Sequence, residues 1–392
     1  MKGKFLSRIT AGLTANIVIL AFVSFLTDTS SEMMLPLIPT FVIVVLAGSP
    51  LILGLIEGIA ESTASLLKVA SGFWSDRMRR RKDLVAAGYG VSSFSKLLFF
   101  FSTSWIDFTA WRFLERVGKG IRTPPRDAMI AESTTPETTG KAFGLHRAMD
   151  TAGAVLGPAL VLLLLPLLGG GISGNIRTIF LIATIPAVIA FLLVFRLREK
   201  PVARAPPESF RASLSLIPRN LKLFVLAATT FEIGNFSVLF LVYRSTELVN
   251  RIDAVIALYL LFNVSYALLA FPAGVLSDKI GKKPMIAFGY GIFIVTFAGF
   301  VFARDISHLI VLFMTFGLCM ASLDGVQRAY VADMSPKNLR ATAMGTYHTF
   351  TGIAKLPASL VAGFLWIFSP AYPFLYGIVM AAGGLALLSR VE

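Results

Sequence analysis

The segment from Arg112 to Asp127, RFLERVGKGIRTPPRD, sets five basic residues in a chain otherwise built of long apolar runs. Wound at about 100° per residue, Arg112, Arg116, Lys119, Arg122 and Arg126 fall within an arc of roughly 120°. A cationic stripe of this kind can bind an anionic solute, or it can hold carboxylates in their charged form. Acids for the second role are present elsewhere. Asp28 and Glu32 are spaced to share one helical face. Glu57, Glu61 and Lys68 fall within about 40° of one another on a helix, and Asp150 follows His146 and Arg147. Desolvation favours the neutral form of a carboxylate and a nearby Arg favours the charged form. A group poised between the two can load and release a proton.

The chemistry matters because the stripe lies in a membrane protein. The chain has 392 residues, is 56% hydrophobic and only 15% charged, against about 25% charged for a soluble domain. An ionised side chain at the centre of a bilayer costs on the order of 3 kcal/mol or more unless it is paired or hydrated. The net charge of +14 reflects basic cytoplasmic loops rather than nucleic-acid binding. One cysteine, Cys319, excludes an intramolecular disulfide framework, and His146, His308 and His348 have no metal-ligand spacing. Lys2, Lys4 and Arg8 precede an apolar run as in a signal peptide. Without a clean small-residue cleavage site, that run reads as a retained first span.

At about 20 apolar residues per crossing, twelve spans are expected. They lie near 12–45, 51–74, 83–103, 106–131, 142–168 and 177–196, then 220–243, 254–277, 285–303, 308–333, 341–367 and 372–389. The fold class is therefore an all-α membrane protein, with a six-helix bundle over 1–196, a linker over 197–219 and a second bundle over 220–392. Pro36, Pro39, Pro124 and Pro125 are expected to kink spans 1 and 4. One set of loops carries Arg77, Arg79, Arg80, Arg81, Lys82, Lys279, Lys282, Lys283, Lys337 and Arg340, and the other set few basic residues. This bias puts both termini in the cytoplasm, with the chain in the cell membrane.

The halves repeat. GFWSDRMRRRK at 72–82 matches GVLSDKIGKKP at 274–284, and Arg126 and Arg328 stand at the same offset of 202. Duplicated six-span halves point to a rocking transporter with its site between them. Gly72-x-x-x-Asp76-Arg77 and Gly274-x-x-x-Asp278-Lys279-x-Gly281-Lys282-Lys283 resemble the loop signature of the major facilitator superfamily, G-x-x-x-D-[RK]-x-G-[RK]-[RK]. The first copy departs from it at Arg79, where the family has Gly. Gly72 and Gly274 are expected to permit close helix approach. Asp76 and Asp278 are expected to cap a neighbouring helix or pair with its Arg. With Arg77, Lys279, Arg122 and Arg126 they make an expected cytoplasmic gate.

Arg116-Val-Gly-Lys119-Gly120 loosely resembles the family's span 4 motif R-x-x-Q-G, with Arg112 offering a rival alignment. Gly153-Ala-Val-Leu-Gly157-Pro158 is similar to the G-x-x-x-G-P core of family antiporters. Ordinary small-residue packing would also explain those glycines. The resemblance covers the whole chain. It implies a monomeric secondary transporter that moves a small solute by alternating access, with proton-coupled export near the drug-antiporter branches as the leading expectation.

The expected coupling and substrate residues are Asp28, Glu32, Glu57, Glu61, Arg112, Arg116, Lys119 and Asp150 in the first half. In the second they are Glu232, Asn235 and Arg328. The acids of spans 1, 2 and 5 are the expected counterions of the span 4 stripe. No G-x-x-x-x-G-K-[ST] is present, so the energy source is expected to be the proton gradient, with no cofactor. No nucleophile–base set is visible, which argues against an enzyme. Three alternatives stay open: transport of an anionic solute in either direction, transport of a divalent cation on the paired acids, and a non-transporting sensor or scaffold of the same fold.

Overall fold

The computed structural model describes residues 13–78, 80–135, 138–199, 218–336 and 339–391, with the side chains of 76–78, 340 and 341 outside that description. Twelve long helices account for the described residues. In the first half they are α1 (Ala15–Val45), α2 (Pro50–Met78), α3 (Arg81–Phe101), α4 (Trp105–Glu132), α5 (Thr139–Leu167) and α6 (Ile172–Val194). In the second they are α7 (Arg219–Val249), α8 (Ile252–Ile280), α9 (Lys282–Phe302), α10 (Ile306–Met334), α11 (Arg340–Trp366) and α12 (Ala371–Ser389). Eleven are long and apolar enough to cross a bilayer on composition alone. The exception is α4, whose charges lower its hydropathy.

Local sequence explains where these helices start and bend. At the head of α4, Ser104 and Asp107 form a reciprocal capping box. Asp107 accepts from the Ser104 amide at 3.0 Å, and the Ser104 hydroxyl accepts from the Asp107 amide at 3.1 Å. Asp305 caps α10 by accepting from the Ser307 and His308 amides. These bonds, the His308 amide first, hold its carboxyl below the usual range. In α1 the regular helix ends at Met34, where Pro36 and Pro39 remove backbone donors. It continues as a tight turn over Leu35–Leu37 and a widened one over Phe41–Val45. Pro124 and Pro125 stay inside the continuous α4. The seventh span, expected over 220–243, runs on to Val249 and is broken after Gly234, resuming as helix at Leu239.

The repeat read in the sequence is a repeat of packing. In the first half α1 packs on α5 and α6, and α3 on α6. In the second, α7 packs on α11 and α12, and α9 on α12. By internal contacts the chain divides into two units. The first comprises Met1–Leu35, Leu67–Ser102 and Ala110–Ala205; the second comprises Pro36–Leu66, Thr103–Thr109 and Pro206–Glu392. The first unit has a core of Ile17, Leu20, Val23, Val85, Met129, Ile130 and Val194. The second is cored by rings, with Phe231 stacked on Tyr290 at 4.1 Å and Phe293 against Phe297 at 3.8 Å. Burial of such rings is a large apolar contribution.

The signature loops show what their basic residues do. In the first half Arg81 pairs with Glu132 at the end of α4, and Lys82 Nζ donates to the carbonyls of Phe195 and Leu197, both at 2.8 Å. In the second, Lys282 pairs with Asp333 at the end of α10, and Lys283 Nζ donates to the carbonyls of Ser389 and Val391. Each lysine caps the C-terminus of its half's sixth helix. The structural equivalents are thus Arg81 with Lys282 and Lys82 with Lys283, one position out of step with the offset set by Gly72 and Gly274. Between α2, which ends at Met78, and α3, which starts at Arg81, the sequence has two positions, of which Arg80 is described, whereas Gly281 alone joins α8 to α9 and takes φ 97°. Arg80, the described residue of the first loop, occupies the cap position of α3 with φ −120° and needs no glycine there.

Candidate functional site: the charged face of α4

Two glycines of α5 set the geometry of the first unit. A Cβ on Gly153 would lie 2.5 Å from the Phe25 carbonyl and 3.2 Å from Asp28 Cβ. One on Gly157 would lie 2.7 Å from the Thr29 carbonyl and 2.8 Å from Glu32 Cβ. The two helix backbones therefore touch along the turns of α1 that carry Asp28 and Glu32, and both acids are half-buried there. Pro158, next to Gly157, is buried. The glycines of the loop signature behave differently. A Cβ on Gly72 would meet Pro124 at an ordinary 3.6 Å, and one on Gly274 would meet nothing within 4 Å. They do not mark the close approach expected of them.

Asp28 lies in the electrostatic field of Asp150 on α5, Lys119 and Arg126 on α4, and Glu32. Beside it runs a polar chain. The Ser24 hydroxyl donates to Asp150, Arg126 Nη1 donates to Ser24 Oγ at 3.4 Å, and Arg126 Nε and Nη2 donate to Asp127 at 3.0 and 2.9 Å. His146 Nδ1 stands 3.7 Å from Asp150. Arg126, expected at the gate, is thereby joined to the α1–α5 acids.

The upper part of the stripe is organised by Glu115, a carboxylate of the same helix that is not among the site residues expected from the sequence. It is buried, and its Oε2 lies 3.1 Å from Arg112 Nη1 and 3.3 Å from Arg116 Nε. The Ser92 hydroxyl points at its other oxygen from 3.5 Å. Its spacing from Arg112 in the chain was the available signal. Lys96 on α3 is 1% exposed, and its ammonium donates to Ser30 Oγ and Ser31 Oγ, both at 2.9 Å, and to the Thr27 carbonyl at 3.3 Å. Arg122 lies over the Tyr89 ring at 4.5 Å. Gly88 and Gly118 bring α3 and α4 together here, a Cβ on Gly88 falling 2.6 Å from Arg122 Cβ.

The acids of α2 go elsewhere. Glu57 accepts from Ser237 of α7 at 3.3 Å, and Glu61 lies 3.9 Å from Lys355 of α11. They belong to the second unit, where α2 and α11 also meet closely, a Cβ on Gly54 falling 2.2 Å from the Ser359 carbonyl. The reason is rotational: the face of α2 that carries both acids is the face bearing Gly54 and Gly58. In the same unit Asn235 Nδ2 donates to Glu232 at 3.4 Å, and Arg328 pairs with Asp324 at 3.2 Å. Asp278 lies 3.7 Å from Lys282, and both Asp278 and Lys279 are exposed. The side chains of Asp76 and Arg77 lie outside the described residues. Among the described residues no cluster of three or more His, Cys, Asp or Glu could hold a metal ion.

Among the described residues, twelve long helices, eleven of them apolar enough to span, with charged residues turned inward, define a multi-pass membrane protein. Residues 20–248 and 223–392 each match the Major Facilitator Superfamily, and the chain belongs to that family. Its members carry small molecules across membranes and are not enzymes. An uncharacterized MFS-type transporter of Methanocaldococcus jannaschii is 42% identical over 383 residues, which is 96% of this chain and 95% of that one. Multidrug resistance protein 2 of Bacillus subtilis is 26% identical over 384 residues, covering 92% and 91%. A crystal structure of a variant of the nucleoside transporter NupG superposes with a TM-score of 0.78 at 15% identity, covering 95% of this chain and 99% of that one.

Proposed function

We propose that the protein is a proton-coupled secondary active transporter that works by alternating access, with Asp28 and Glu32 as the groups that load and release the proton. The observation that carries this is the seating of Gly153 and Gly157 on the turns of α1 that bear those two acids. Any movement of α5 against α1 changes their surroundings directly. Export by exchange for protons is the leading mode. The antiporter-like sequence around Pro158 and the name of the Bacillus subtilis relative support it. The basic loops support cytoplasmic termini in the cell membrane.

One observation favours a second mode, the uptake of an anionic solute together with protons. The buried charges on α3 and α4 are predominantly positive: Lys96, Arg112, Arg116 and Arg122 against Glu115. Vesicles with an imposed pH gradient and a pH-sensitive dye test the proposal. Tetraphenylphosphonium or ethidium should collapse the gradient if export by exchange is the mode, and anions should do so in the second. In either mode Asp28→Asn and Glu32→Gln should abolish gradient-driven flux and leave substrate exchange without a gradient intact. Wild-type gradient-driven rates in both variants would sink the assignment.

A further inference from the structure

Lys96 of α3 is 1% exposed, and the coupling proposed above does not use it. A lysine near a helix end can run its stem out to the membrane surface. Phe101 ends α3 little more than one turn further on, yet the ammonium turns sideways to α1. It donates to Ser30 Oγ and Ser31 Oγ, both at 2.9 Å, and to the Thr27 carbonyl at 3.3 Å. All three N–H groups of the ammonium are thereby used, and every acceptor is neutral. Among the described residues no carboxylate forms an ion pair with it. Its charge is held in place without being cancelled in place.

The acceptors share one face of α1. At about 100° per residue, Thr27, Ser30 and Ser31 centre roughly 150° away from Phe25, Asp28, Thr29 and Glu32, the residues on which Gly153 and Gly157 are seated. One turn of α1 is therefore gripped from two sides, by α5 through bare backbone contact and by α3 through Lys96. The grips differ in kind. Packed helices can slide past one another in small steps, whereas three directed hydrogen bonds tolerate little displacement. With its turn fixed on α3, Asp28 meets a different part of α5 when that helix slides.

We infer that Lys96 is a positioning residue of the proton site: it anchors to α3 the turn of α1 that carries Asp28, and it sets a positive charge facing that acid. The inference rests on the proton-loading role proposed for Asp28. The other charged groups facing Asp28 are Asp150 on α5, Lys119 and Arg126 on α4, and Glu32 on its own helix. Lys96 is faced in turn by Glu115, Arg116 and Arg122 of α4. The charged residue of α6, Arg177, donates to the Phe100 carbonyl at 2.6 Å. Arg126 reaches α1 one turn earlier, at Ser24; Lys96 holds the turn of Asp28 itself.

The test uses full-length protein in detergent, with no substrate and no gradient. Amide hydrogen exchange over Thr27–Ser31 reads the anchor. The infrared carbonyl stretch of a protonated carboxyl, identified as the band lost in Asp28→Asn, reads the proton on Asp28 as pH is varied. In Lys96→Met, exchange over Thr27–Ser31 should quicken about tenfold or more, with α6 exchanging as in wild type. The Asp28 band should titrate about half to one pH unit higher, since removing a facing cation favours the neutral acid. Lys96→Arg should bring both readings back towards wild type. Should Lys96→Met fail to fold, Lys96→Gln, which loses the charge but can still donate to the same turn, replaces it for the titration. Unchanged exchange in Lys96→Met, or exchange raised alike throughout the first unit, overturns the inference. An Asp28 band that titrates alike in wild type and the charge-free variant sinks it too, and sinks it alone. If no band lost in Asp28→Asn titrates at all, the coupling proposal falls and takes the inference with it.

Discussion

Placing alanine at Gly153 or Gly157 examines the contact on which the coupling proposal stands. At Gly153 the new methyl would sit 2.5 Å from the Phe25 carbonyl oxygen and 3.0 Å from the Thr29 amide nitrogen. At Gly157 it would sit 2.7 Å from the Thr29 carbonyl and 2.9 Å from the Glu32 carbonyl carbon. Ordinary contact begins at 3.4 Å, and the obstructing atoms are backbone, which no rotamer change can move. The helices must part by close to 1 Å, enough to forfeit a quarter to a half of the dispersion energy along the seam. Overpacking of this kind costs about 1–3 kcal/mol.

The same helix supplies its own control. A Cβ on Gly140 or Gly144 meets nothing within 4 Å, and alanine there should gain up to about 1 kcal/mol through helix propensity. One chemical change, at four positions of α5, is therefore expected to split by about 1–4 kcal/mol. Thermal unfolding of the purified variants reads the split directly. Gradient-driven flux should fall in Gly153→Ala and Gly157→Ala and stay near wild type in Gly140→Ala and Gly144→Ala. If Gly153→Ala melted with Gly144→Ala, the backbones of α1 and α5 would not be in contact and the proton-loading role of that seam would lose its basis.

Two further outcomes follow from the charges. Glu115→Gln leaves the buried guanidiniums of Arg112 and Arg116 facing a neutral amide and should cost about 3–5 kcal/mol. Adding Arg116→Gln should restore part of that loss in a double-mutant cycle of melting temperatures. At the head of α10, the depressed carboxyl of Asp305 stabilises the folded protein above the unfolded aspartate value of about 3.9 and ceases to do so as pH falls through its lower folded value. Asp305→Ala should accordingly melt below wild type at neutral pH, with the gap closing as pH falls below the unfolded aspartate value of about 3.9; a gap independent of pH would show that the carboxylate is not the cap.

Twelve apolar segments, duplicated halves and charges set within apolar runs were all legible in the chain before any packing was considered. Bilayer thickness imposes a length and a composition on every crossing, and these are local properties of the chain. It also singled out Asp28, Glu32, Gly153 and Gly157 separately, as an acid pair and a glycine motif. Only the tertiary structure brought them to one seam, because which turn of α1 meets α5 depends on how two helices rotate and slide, and hydropathy does not encode that. The same freedom sent Glu57 and Glu61 towards α7 and α11 rather than α4, and gave Arg112 and Arg116 a partner, Glu115, from their own helix. In the signature loops the one-residue difference between Arg79–Arg80 and Gly281 was present in the sequence. Its meaning emerged when Arg81 and Lys282 reached equivalent acids, since a salt bridge fixes register in space and an alignment of letters does not.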